Sequence, residues 1–150
     1  MIQRIQSIYL FLVFVFALLS LTFPLAKVFA ANEYFSINLI SFKHQGPELF
    51  AGAGYFKYGL AAILAIIMII TFITIFRYKK RKLQIKFGRL NIALHVIFVA
   101  LAALFLNQVS NALDLDIKYG ISIVFPLVSI VLIILANIAI RKDEKLVRAA

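Results

Sequence analysis

Four stretches of the chain are apolar almost without interruption, and the polar residues crowd into the segments between them. A membrane-spanning helix needs about 20 predominantly apolar residues, rising about 1.5 Å each, to cross roughly 30 Å of hydrocarbon. The pattern predicts spans at about residues 5–23, 59–76, 90–106 and 121–140. The first has no charge after Arg4 and meets Pro24, and the second and fourth contain no ionisable side chain at all. The third is barely long enough and carries Asn91 and His95. The expected fold is an all-α membrane protein, a single four-helix transmembrane domain over residues 1–150 with both termini on one side. Residues 1–30 also parse as a secretory signal, with Val28-Phe29-Ala30 as a small-residue cleavage site, which would leave three spans. The apolar run from Ile8 to Phe23 exceeds the roughly 7–15 residues usual for such a signal, which favours a retained helix.

Only the segment between the first two spans, about Leu25 to Tyr58, is large enough to hold structure outside a bilayer. Phe35, Ile37 and Leu39 alternate with Ser36 and Asn38, a strand periodicity, and Gly46-Pro47 offers a turn. A partly structured loop with a short hairpin is expected there. An isolated hairpin is marginal in water. Tyr34, Phe35, Phe42, Phe50, Tyr55 and Phe56 are therefore expected to rest on the helix ends at headgroup depth, where aromatic rings are favoured. Gly52 and Gly54 are expected to let the chain re-enter the membrane. The segment from Asn107 to Gly120 reads as a polar turn.

Composition agrees with the membrane reading: 64% of the 150 residues are hydrophobic and 15% charged, against roughly 45–50% and about 25% in an ordinary soluble domain. The absence of cysteine excludes disulfides and thiolate metal sites. The formal charge of +10 would by itself suggest nucleic acid, so its distribution matters. Arg4, the seven cations Arg77, Lys79, Lys80, Arg81, Lys82, Lys86 and Arg89, and the tail's Arg141, Lys142, Lys145 and Arg148 all fall on one face, with Asp143 and Glu144. The opposite face has Lys27, Lys43, Lys57 and Lys118 against Glu33, Glu48, Asp114 and Asp116, for no net charge. Basic loops stay cytoplasmic. The expected orientation is N-in and C-in.

Ionisable groups within a membrane are expensive and therefore informative, and the expected spans contain no Asp, Glu, Lys or Arg. That leaves no carboxylate pair, proton relay or counter-ion, and no phosphate loop or nucleophile motif is present. No enzymatic activity, cofactor or metal is expected; His44 and His95 stand far apart and cannot share a zinc ion. His95 follows Asn91 by four residues on one helix face. Asn91, His95 and Asn137 are candidates for polar contacts between helices; the favoured reading of His95 is a neutral imidazole near the interface, hydrogen-bonded to Asn91 or a backbone carbonyl, and that of Asn137 is bundle packing. Thr71, Thr74 and Ser129 are further candidate donors. Ala61 and Ala65, and Ala93, Ala100 and Ala103, offer small faces for close packing. Pro126 is expected to bend the fourth helix slightly.

The basic cluster is the most pronounced chemical feature. Lys82, Lys86 and Arg89 recur at helical spacing, with Leu83, Phe87 and Leu90 one residue on. This predicts an amphipathic segment from Arg77 to Asn91 at the headgroup boundary, its apolar stripe buried and its cations facing anionic lipid. The competing reading makes these charges a topology signal alone. Nucleic acid is excluded as a partner, because lipid headgroups occupy such a cluster first. In the tail, Glu144 precedes Arg148 by four residues, a favourable helical pair, so the fourth helix is expected to run beyond the membrane. Asp143 and Glu144 are expected to pair with the basic connection, their reversal costing more stability than reversal of Asp114 and Asp116.

The ends and middle of the chain carry a resemblance. Met1-Ile2-Gln3-Arg4-Ile5-Gln6-Ser7-Ile8-Tyr9-Leu10, then Arg81-Lys82-Leu83-Gln84-Ile85 with Gly88-Arg89-Leu90-Asn91, and finally Ala136-Asn137 and Arg141-Lys142-Asp143-Glu144-Lys145-Leu146-Val147-Arg148 resemble a bacterial family of small integral membrane proteins. It is a domain of unknown function, number forty-two ninety-three. The resemblance covers essentially the whole chain and implies a four-helix protein of the inner (cytoplasmic) membrane with its N-terminus retained. It implies no activity.

Taken together, these features lead to a non-enzymatic accessory or scaffolding protein whose basic cytoplasmic face contacts anionic lipid, a protein partner or a second copy of itself. The alternative is a small transporter or channel subunit, which must oligomerise to line a pathway.

Overall fold

The computed structural model describes residues 3–30, 33–40 and 51–150. Phe42, Lys43, His44, Gly46, Pro47, Glu48 and Phe50 lie outside them. Four helices, α1 (Gln3–Thr22), α2 (Ala51–Phe76), α3 (Arg81–Leu113) and α4 (Val124–Ala149), are each long and apolar enough to cross a membrane. α1 packs on α2 and α4, and α3 packs on the same two, so the chain runs around a four-helix ring with α1 and α3 on one diagonal.

Helix boundaries depart from the hydropathy pattern where polar residues join a helix. α2 already begins at Ala51, so Gly52 and Gly54 belong to its first turn rather than to a bend at the membrane surface. α3 is one rod of 33 residues, about 50 Å long. The expected surface segment and the expected third span are therefore a single helix. Between Arg81 and Leu113 only Gly88 is a poor helix former by backbone, with no proline, and Lys, Leu, Gln, Arg and Ala dominate. α3 continues through Asn107 to Leu113, so the first half of the expected polar turn is helix. α4 runs through the charged tail to Ala149. Pro126 falls in its first turn, where the missing N–H removes no helical bond.

Opposite the basic termini, the connections form a three-stranded antiparallel sheet, with β1 (Ala26–Ala30) between β2 (Glu33–Ile37) and β3 (Ile117–Tyr119). Val28 pairs with Phe35 on one side and Ile117 on the other. The hairpin thus joins β1 and β2 directly, without recourse to Gly46-Pro47. Leu25 stitches the sheet to the helix ends: its N–H donates to Ile37 O at 2.7 Å, and its carbonyl accepts from Gly120 N–H at 2.8 Å. A Cβ at Gly120 would collide with the Pro24 carbonyl, so this close approach needs glycine. α3 ends on Asp114 in the left-handed region (φ 52°), its N–H donating to Ser110 O. Asp is one of the few residues that tolerate that conformation. Ser20 and Ser122 donate their hydroxyls to each other's carbonyls at 3.2 and 2.7 Å, fastening α1 to the 3-10 turn Ile121–Ile123 before α4.

Burial is divided along the bundle axis. Toward the sheet, Ala17, Leu21, Leu25, Leu60, Leu64, Phe98, Ala102 and Phe105 form a continuous apolar core, and Phe56 stacks on Phe105 at 5.3 Å. Tyr55, by contrast, is fully outside the fold at 82% exposure. Toward the basic end, Gln6, Thr71, Thr74, Gln84, Asn91 and His95 are all buried.

The basic end of the bundle as a candidate site

The turn from Arg77 to Lys80 joins α2 to α3, with Arg77 N–H bonded to Ile73 O (3.1 Å) and Lys80 N–H to Arg77 O (2.9 Å). Lys80 caps α3 without a side-chain hydrogen bond, and the first turn of α3 contains no acid. Arg81 and Lys82 therefore sit at the positive end of a helix dipole, where an acid is favoured by about 0.3–1 kcal/mol and a cation correspondingly penalised. Part of the cost is recovered by Asp143, whose Oδ2 lies 3.0 Å from Arg81 Nη2, both side chains largely buried at 14% and 20% exposure. Arg81 Nη1 also reaches Asp143 O at 3.4 Å. Glu144 pairs instead with Arg148 one turn on, at 2.8 Å.

The remaining cations line two open clefts on either side of α3. One, of about 800 Å³, lies between the α2–α3 turn and the end of α4, and is lined by Tyr78, Lys79, Lys80, Lys82, Lys86 and Val147 among others. The other, of about 820 Å³, lies between α3 and α4 and contains Lys82, Arg89, Arg141, Lys142, Lys145 and Arg148. Arg77, Lys79, Lys80, Lys82, Lys86 and Arg89 are all exposed.

Leu83, Phe87 and Leu90, the stripe expected to be buried, are half-buried or exposed. The buried face of α3 is instead Gln84, Ile85, Gly88, Asn91 and His95. In lipid the choice is reversed because hydrocarbon gives no drive to hide leucine, while small and polar residues gain from close approach and interhelical hydrogen bonds. Asn91 Nδ2 donates to Thr71 Oγ1 at 2.7 Å, and Thr71 Oγ1 to Ile67 O at 2.7 Å. His95 Nδ1 donates to Asn91 O at 2.8 Å, which fixes the proton on Nδ1. Gln84 Nε2 donates to Thr74 O at 2.9 Å. Asn137 does not join this group; its amide lies against Gly88, so tightly that any Cβ there would strike it. Ala93, Ala100 and Ala103 face outward rather than into the bundle, and the buried alanines among the described residues are Ala17, Ala26, Ala102 and Ala136.

Gln6 and Gln84 are the buried polar residues that hydropathy reading passes over. For Gln84 the signal was the 4-3-4 spacing of Gln84, Gly88, Asn91 and His95, which places all four on one helix face. Gln6 Nε2, Gln84 Oε1, Asn91 Oδ1 and Ser129 Oγ are buried without a hydrogen-bond partner in the protein. Among the described residues no three His, Asp or Glu side chains gather as a metal site.

The family model described as Domain of unknown function (DUF4293) matches residues 2–150. The chain belongs to that family. No curated protein and no solved structure matches it. In this DUF4293 chain the match takes in all four helices, the sheet and both basic clefts as one unit.

Proposed function

We propose that this protein is a non-enzymatic accessory or scaffolding protein of the bacterial inner membrane, with both termini in the cytoplasm and a basic cytoplasmic face that contacts anionic headgroups or an acidic partner. The observation that carries this reading is the crowding of uncompensated cations at one end of the bundle. Among the described residues only Asp143 and Glu144 oppose them, and each is already engaged by an arginine. Each cation near an anionic leaflet is worth about 1 kcal/mol, so anionic surroundings answer the charge that the protein itself leaves unanswered. In proteoliposomes, spin-labelled phosphatidylglycerol should be held preferentially over spin-labelled phosphatidylcholine. Neutralising Lys79, Lys80, Arg81 and Lys82 together should bring that preference close to unity; an unchanged preference would leave these residues a topological role only.

A second reading, a transporter or channel subunit acting as an oligomer, draws on the buried polar face of α3 and its unpartnered amide oxygens. Crosslinking in native membranes that captures a distinct protein favours the scaffold. Solute flux that disappears with His95→Ala favours the transporter.

A further inference from the structure

We infer that the cleft between α3 and α4 is a discrete binding site for one phospholipid carrying two phosphates. The inference rests on the reading that the basic end meets anionic lipid, and assigns that contact to a particular place and lipid class.

In the antiparallel pairing that sets Gly88 against Asn137 and Arg81 beside Asp143, Arg89 comes level with about Ala136. That is more than a turn inside Arg141, the first cation of α4. Arg89 is thus the most deeply placed cation of the basic end, at a level where α4 is still apolar, and among the described residues it has no ion pair. A charge at such a depth calls for a counter-charge, and a lipid phosphate lies where the hydrocarbon ends.

The cleft then offers more charge than one phosphate uses. Lys82 and Arg89 on α3 face Arg141, Lys142, Lys145 and Arg148 on α4, with Glu144 the single acid and already bonded to Arg148. The cations span eight residues of each helix, Lys82 to Arg89 and Arg141 to Arg148, a rise of about 10 Å along the axis. Two phosphates joined through a short linker fit that length: Arg89 and Arg141 hold the inner one, and Lys82, Lys145 and Arg148 the outer. Arginine's planar fork suits the inner position, where bidentate contact replaces water.

Below the charges the same faces continue in a form suited to acyl chains. Ile85 and Ile138 already line the cleft between its cations. Further in, Ala93, Val96 and Ala100 on α3 and Ile134 and Val131 on α4 are exposed. The two alanines leave a shallow furrow beneath Arg89, which by helical spacing lies on their face. Headgroup charge and chain groove are therefore continuous.

Delipidated protein in mild detergent can be titrated with cardiolipin, phosphatidylglycerol, phosphatidylcholine or inorganic phosphate, and the adducts counted by native mass spectrometry. One cardiolipin per chain should bind at least tenfold more tightly than phosphatidylglycerol, and millimolar inorganic phosphate should not displace it. Arg89→Gln with Arg141→Gln should weaken cardiolipin at least tenfold, while Arg89→Lys with Arg141→Lys, which keeps the charge but loses the fork, should weaken it by less than the Gln pair. Lys27→Gln with Lys118→Gln, the same charge change at the sheet end of the bundle, should stay within threefold. Equal weakening by the two neutralised pairs, equal binding of phosphatidylglycerol, displacement by inorganic phosphate, or a protein dimer in place of the adduct would each overturn the site. The anionic preference in proteoliposomes can survive any of those results, so failure of the cleft and failure of the broader reading are separate outcomes.

Discussion

At Gly88 two opposing effects can be weighed directly. Replacing a mid-helix glycine by alanine ordinarily gains roughly 0.5–1 kcal/mol, but here the new Cβ would strike the Asn137 amide, and overpacking costs roughly 1–3 kcal/mol. The clash is with the end of a short, rotatable side chain, so it should fall at the lower end of that range. Gly88→Ala should therefore lower detergent stability by about 1 kcal/mol or less, and adding Asn137→Ala should recover it. A thermal melt of the two variants decides it: if the double variant melts no higher than Gly88→Ala alone, the contact is not what limits that site. The Asn91–Thr71 bond makes the complementary point. Interhelical bonds in membranes contribute only about 0.6 kcal/mol each, so the buried polar face of α3 specifies how the helices meet more than it stabilises them.

Among the elements, α3 and its contact with α4 show what the pattern of residues announces and what it hides. Four spans, the strand alternation around Ile37 and the Glu144–Arg148 turn can be read from hydropathy and spacing alone. β1 cannot, because Ala26–Ala30 alternates too weakly and its pairing with β3 depends on partners about 90 residues away. Nor can the inward face of α3, since scanning for apolar stripes selects Leu83, Phe87 and Leu90, the residues a lipid solvent is content to leave outside. The cation-rich start of α3 is a local conflict of the same kind: charge opposes the helix dipole, and Asp143 offsets it. Exchanging the partners removes the conflict. Arg81→Asp or Asp143→Arg alone should each lose about 1 kcal/mol, the upper end for a pair of this exposure. Together they restore the pair with an acid at the N-terminal end of α3, where the helix dipole favours it. The double variant should melt at least as high as the native protein; a melt as low as either single reversal would show that geometry, rather than charge order, maintains the contact.

Across the whole molecule, polarity is sorted along the bundle axis, with the sheet and aromatic core at one end and the cations and buried amides at the other. That sorting ties orientation to ligand chemistry, because a bilayer's positive-inside bias acts on the same residues that line the clefts. The protein has no cysteine, so single introduced thiols report sidedness without background. In intact cells Asp116→Cys, beside β3, should react with a membrane-impermeant maleimide, whereas Lys79→Cys and Ala150→Cys should react only after permeabilisation. Neutralising the seven cations from Arg77 to Arg89 should then make Asp116→Cys labelling partial, as a fraction of chains inserts the other way. If labelling at all three positions is unchanged by that neutralisation, the tail's Arg141, Lys142, Lys145 and Arg148 suffice to orient the chain. The cations of the α2–α3 connection would then be free of the topological duty, which strengthens the case that they are there for a ligand.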